Sequence, residues 1–156
     1  MPLVRILVDG YSLLHSWPKL AQGKARFSAV ARTELINILR QYGDAIGTPV
    51  TVVFDGAQPA PQVAREVPST PEMEILYSKA GQTADDIIER VTARLVAYGE
   101  VLVVSNDIAE RDTVFSVGGN CCSCDHFIRQ IESTLSEFQR TLERYNRSET
   151  NRFKKR

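Results

Sequence analysis

Acids finish apolar runs in three places, VDG at residues 8–10, FDG at 54–56 and SND at 105–107, and a fourth acidic group, TADD at 83–86, opens a stretch of helical period. Each has a structural reading when taken singly. Asp-Gly and Asn-Asp are turn dipeptides. Asp85 and Asp86 favour a helix N-terminus by about 0.3–1 kcal/mol each, whatever else they do. Thr83 with Asp86 three residues on is a capping box. The coincidence is more informative than its parts, because Asp9, Asp55 and Asp107 each finish a different run. If the runs are parallel strands, these acids share one sheet edge, and the helix opened by Thr83 begins at that edge too. Five carboxylates without an interleaved lysine or arginine repel one another unless cations bind. Oxygen-only donors suit Mg²⁺ or Mn²⁺, which acidify bound water and stabilise the oxygens around phosphorus. The chemistry implied is metal-assisted phosphodiester hydrolysis.

The elements that must position these acids follow from the apolar periodicity. LVRILV (3–8), VTVVF (50–54), EILYS (74–78) and VLVVS (101–105) are nearly continuous apolar runs, as in strands covered on both faces. Between them, Leu35, Ile38, Leu39 and Tyr42 share one helical stripe, and Ala84, Ile87, Ile88, Val91 and Leu95 share another. Strand, helix, strand is the βαβ rhythm of an α/β sandwich. TVFSV (113–117) reads as a fifth strand turned by Gly118, Gly119 and Asn120. From Asp125 onward, Ile128, Ile131, Leu135, Phe138, Leu142 and Tyr145 recur at spacings of three and four, predicting a long amphipathic helix. Its stripe packs on the sheet or forms a partner seam. The Pro-rich stretch 57–71 reads as a surface loop near the acidic edge, and residues 147–156 as a basic flexible tail behind a domain spanning 1–146.

Composition sets the outer bounds. The chain has 156 residues, enough for one domain with its own core, and its nineteen acids balance nineteen lysines and arginines. That balance argues against coating nucleic acid by bulk attraction. No run reaches the roughly 20 apolar residues of a membrane span, and the expectation is a cytoplasmic protein. The cysteines of CCSC at 121–124 are too crowded for a disulfide framework. With His126 they offer four soft ligands, but adjacent residues point apart, which disfavours zinc. His15, near Trp17, reads as a packed loop histidine or as a group that stacks on or hydrogen-bonds a nucleotide.

The segments VDGYSLLH, VVFDG, YSKAGQTADDIIERV and VVSNDIAER, in this order and at these separations, resemble the PIN-like nuclease superfamily, most closely the YacP-like branch of the NYN domains. The most specific piece is TAD, then Glu89, then Asp107 and Glu110 beyond the next strand. The resemblance implies a Rossmann-like three-layer α/β/α sandwich with a mainly parallel sheet and a long C-terminal helix. It also implies a metal-dependent endoribonuclease using Mg²⁺ or Mn²⁺, acting on RNA, single-stranded mRNA foremost, in some members at the ribosome. By resemblance Asp9, Asp85 and Asp107 are the catalytic acids and metal ligands. Asp55, Asp86 and Glu89 are further metal-ligand candidates: Asp55 matches a strand-end acid of the flap nucleases and YacP-like sequences, Asp86 the second acid of ADD in the flap nucleases, and Glu89, one turn beyond Asp85 on the same face, is a ligand or an acceptor behind the ligands. Ser12 stands where the branch often has asparagine, and Ser105 or Asn106 could hold a metal-bound water.

In one place the chain departs from the pattern. Where the branch has an arginine, Cys121 stands in GGNCCSC, so Arg111, Lys79 and Arg65 are the candidates to meet substrate instead. Lys19, Lys24, Arg26 and the tail cations Arg152, Lys154, Lys155 and Arg156 are the other groups available to position a polyanion. The departure keeps a second reading open, an RNA- or ribosome-binding module with weak or lost catalysis. A phosphatase working through an aspartyl intermediate would need two acids after the first strand, and VDGYS has one. A monomer or weak homodimer is expected, without a membrane.

Overall fold

The computed structural model describes residues 2–21, 28–56 and 68–154. The apolar runs form strands β1 (Leu3–Asp9), β2 (Val50–Phe54), β3 (Met73–Tyr77) and β4 (Glu100–Val104), joined by a short β5 (Asn120–Cys122). They make one sheet in the order β3-β2-β1-β4-β5, and every pairing is parallel. Alternate residues feed two cores. Ile6, Val8, Val52, Phe54 and Val104 face α1 (Gly10–Ser16), α2 (Ala29–Ile46) and the start of α5 (Cys124–Lys154). Leu7, Val53, Val101 and Val103 face α3 (Ala84–Leu95) and α4 (Ile108–Ser116). The result is the expected three-layer α/β/α sandwich.

The chain leaves β1 for β2 on one side of the sheet and reaches β4 on the other. The carboxyl ends of β1 and β4 therefore flank the switch point, where ligands bind in open α/β sheets. Among the described residues no helix is long and apolar enough to cross a membrane.

Two expectations are corrected. TVFSV lies in α4, not in a strand: Asp107 caps that helix and the Thr113 hydroxyl donates to the Ala109 carbonyl one turn back. Its β-branched residues pack Val114 into the second core with helical spacing. The true fifth strand is three residues long and starts only after Gly118, whose φ of 96° reverses the chain. The second correction concerns residues 147–154, which continue α5 rather than forming a tail. Arg147 with Glu143, and Arg152 with Glu149, are pairs one turn apart that suit a helix.

Candidate metal centre at the carboxyl edge of the sheet

Carboxylate oxygens of Asp9, Asp85 and Glu110 all lie within 4.8 Å of one another. They arrive from three segments: the end of β1, the first turn of α3 and the first turn of α4. Asp9 also caps α1, accepting from the Ser12 amide (3.4 Å) and the Ser12 hydroxyl (3.2 Å). Burial raises its pKa above the usual aspartate value; the Ser12 amide opposes this, and Asp85 and Asp107 add to it. Glu110 is only 5% exposed. Its Oε2 accepts from Ser105 at 2.9 Å, whereas the buried Oε1 finds no donor among the described residues, and the carboxyl's other neighbour is the Asp85 carboxyl. Burial first, then the facing Asp85 carboxyl, lift the Glu110 pKa well above the ordinary range against the pull of Ser105. Among the described residues, no lysine or arginine forms an ion pair with any of the three acids.

A buried, orphaned carboxylate oxygen facing two further acids is unfavourable unless a proton or a cation sits among them. The donors are all oxygen, without sulfur or imidazole, and so fit a hard divalent cation such as Mg²⁺ or Mn²⁺ in chemistry. A cavity of about 120 Å³ opens beside the cluster, lined by Asp85, Glu89, Ala109, Glu110, Thr113 and Val114.

The other predicted site residues are distributed differently. Asp107 is the N-cap of α4, its Oδ1 turned back to the amides of Ala109 (2.9 Å) and Glu110 (3.4 Å). It stays close enough to act on Asp9 but lies outside the trio. Asp86 is exposed and committed to the Thr83 capping box at 3.1 and 3.2 Å. Asp55 follows β2 and accepts from Ser78 at 3.1 Å, also outside the trio. Ser12 and Ser105 serve the acids: one orients Asp9, the other Glu110. Asn106 joins elements, donating to Ser16 (3.0 Å) and capping α5 at the Cys124 amide (2.9 Å). Lys79 is exposed in the loop after β3, Arg65, Lys24 and Arg26 lie outside the described residues, and Lys19 pairs with Glu132 at 3.7 Å.

Cys121, at the departure from the family pattern, is half-buried with its thiol 3.7 Å from the Arg111 carbonyl. Burial raises its pKa, and the nearby Arg111 guanidinium works against that rise. Among the described residues, Arg111 is thus a predicted cation whose charge reaches this position. Burial pushes the Cys122 thiol up to about 11 and the Cys124 thiol up to about 12.

The sequence profile of the YacP-like NYN domain matches residues 6–156. The chain belongs to the YacP-like NYN domain family. It is 29% identical over 138 residues to the uncharacterized protein YacP of Bacillus subtilis strain 168, covering 88% of this chain and 80% of that one. Solved structures of Rae1 (YacP) from Bacillus subtilis share the fold. A single-substitution variant superimposes with a TM-score of 0.75 at 27% identity, over 91% of this chain and 82% of its own. The other structure gives 0.79 at 24% identity, over 97% and 85%. Membership puts this domain in the PIN-like nuclease superfamily and gives the acidic cluster a nuclease- or RNA-related context.

Proposed function

We propose that this protein is a metal-dependent endoribonuclease that hydrolyses RNA phosphodiester bonds at the Asp9, Asp85 and Glu110 cluster. The observation that carries the reading is the meeting of three carboxylates with an orphaned buried oxygen and no neutralising side chain among the described residues. Asp9, Asp85 and Glu110 would hold the ion, with Asp107 adding negative charge beside them. A bound Mg²⁺ or Mn²⁺ supplies charge stabilisation at phosphorus and a water acidified enough to attack it. Ser12 and Ser105 keep the acids in place, and Arg111 and Lys79 supply cations for the phosphates on either side. Single-stranded mRNA is the proposed substrate, and its presentation by the ribosome belongs to the same proposal.

The test is cleavage of an unstructured RNA with Mn²⁺, with EDTA, and with Asp85→Asn. Metal-dependent cutting by the natural chain, reduced at least ~100-fold in the variant, is expected. The cysteine at position 121 favours a second reading, in which the same surface binds RNA without cutting it. RNA binding with no metal-dependent cleavage in either protein would establish that reading instead.

A further inference from the structure

Where α2 packs against the first turns of α5, an open cleft of about 320 Å³ is lined by Tyr42, His126, Arg129, Gln130, Ser133 and Thr134. Every one of these side chains carries an N–H or O–H donor, and none is an acid. The cavity beside Glu110 is the opposite case, with three carboxylates in its wall and no cation. Tyr42 is the informative member. It is 7% exposed, and its ring is fixed edge-on against Phe127 at 5.4 Å. Its hydroxyl, the side chain's one polar atom, has no hydrogen-bond partner among the described residues. Burial, and after it the Cys122 thiol, raise the Tyr42 pKa, so the hydroxyl keeps its proton and remains a donor. A buried donor of this kind is unfavourable until an acceptor arrives. The exposed Arg129 guanidinium has no ion pair among the described residues, and Glu132 on the same helix is turned to Lys19 at 3.7 Å.

A set of donors that includes a permanent cation selects an oxyanion. Position indicates which one. Asn106 caps α5 at the Cys124 amide (2.9 Å) and directly precedes Asp107, whose charge acts on Asp9, so α5 begins at the edge that holds the acids. From Cys124 the cleft occupies about 3–15 Å of helix rise. It belongs to the α2 and α5 layer, whereas two of the three acids come from α3 and α4 on the other side of the sheet. A ligand held at both points crosses the sheet edge. The ligand that carries an oxyanion at every step along such a path is a nucleic-acid backbone. We propose that this cleft seats a backbone phosphate of RNA at a point separate from the metal centre, with Tyr42 and Arg129 as its principal donors. The choice of RNA rests on the function proposed above.

Fluorescence anisotropy of a short, labelled, unstructured RNA tests this, with the full chain in EDTA so that no cleavage intervenes, over a salt series. Arg129→Gln is expected to raise Kd at least ~fivefold and to reduce the salt slope by about one. Tyr42→Phe is expected to raise Kd at least ~threefold with the slope and Tm unchanged, since only a hydroxyl is lost. Arg94→Gln, at an exposed cation in the last turn of α3 on the opposite layer, should leave Kd as it was. An equal loss from Arg94→Gln would mean attraction by bulk charge and overturn the proposal. So would a chain that binds no RNA, or an affinity indifferent to Tyr42→Phe and Arg129→Gln. If inorganic phosphate shifts the His126 ring signals while RNA affinity ignores both substitutions, the cleft takes small anions and the proposal also falls. Cleavage in Mn²⁺ alongside that indifference would leave the nuclease reading standing. RNA binding that needs both residues, without cleavage in Mn²⁺, would keep the cleft and remove the nuclease reading.

Discussion

Ser105 Oγ stands 2.9 Å from Glu110 Oε2 and accepts the Asp107 amide proton at 3.1 Å. The hydroxyl has one proton, and with the amide occupying a lone pair that proton is directed at the carboxylate. Ser105 is fully buried, so no water replaces it. Ser105→Ala should therefore weaken Mn²⁺ binding by about 10–100-fold, the usual cost of losing a ligand's hydrogen-bond partner. Titration calorimetry reads the effect. Unchanged affinity would mean that Glu110 is held by packing alone.

The pH dependence of stability follows from the same cluster. The Glu110 carboxyl is raised from 4.5 to about 9 by burial and by Asp85, and Asp9 is raised as well. A carboxyl with a higher pKa folded than unfolded binds its proton more tightly in the folded chain. Its contribution is complete below the unfolded value and is lost as the pH climbs toward the folded one. Metal-free protein should therefore melt at a lower temperature at pH 8 than at pH 5. Mn²⁺ at about 100 times its Kd should return about 5–10 °C at pH 8 and less at pH 5. Glu110→Gln should flatten both trends in a thermal-shift assay; a Tm indifferent to Mn²⁺ at both pH values would remove the metal from the account.

Much of this was legible in the residues, and the losses have physical reasons. Asp9 and Asp85 could be placed together because β-runs ending in acids and a capped acidic helix start share an edge in any parallel sheet. Glu110 was visible in NDIAER, but only as part of a motif, because Asp107 and Glu110 have capping-box spacing and the more conspicuous acid took the role. The helix cap in fact turns Asp107 back to its own amides and presents Glu110 forward. Asp55 was drawn into the cluster for lack of Ser78, its partner across the β2–β3 pairing, which periodicity does not reveal. TVFSV failed because β-branched composition outweighed a cap six residues upstream.

Adjacent acids separate site from scaffold. Asp85 faces Asp9 and Glu110, while Asp86 completes the Thr83 capping box. Asp85→Asn should abolish Mn²⁺ binding detectable by calorimetry and leave Tm unchanged or raised, since it relieves repulsion. Asp86→Ala should leave Mn²⁺ affinity within about twofold and lower Tm by about 2–4 °C, as expected for a lost cap of about 1 kcal/mol. The reverse pattern would exchange the two roles.

Gly56 tests whether Asp55 matters to the centre. Its amide donates to the Ser78 hydroxyl at 2.8 Å, and that hydroxyl donates to Asp55 at 3.1 Å. A Cβ on residue 56 would collide with the Ser78 carbonyl oxygen, so Gly56→Ala must push the turn away from β3 and break this chain of bonds. The cost should be about 1–3 kcal/mol, as for other overpacked sites, and denaturant unfolding measures it. Because Asp55 lies outside the trio, Mn²⁺ affinity at a temperature where the variant is folded should be unchanged. A loss of affinity matching that of Asp55→Asn would instead make Asp55 part of the metal centre.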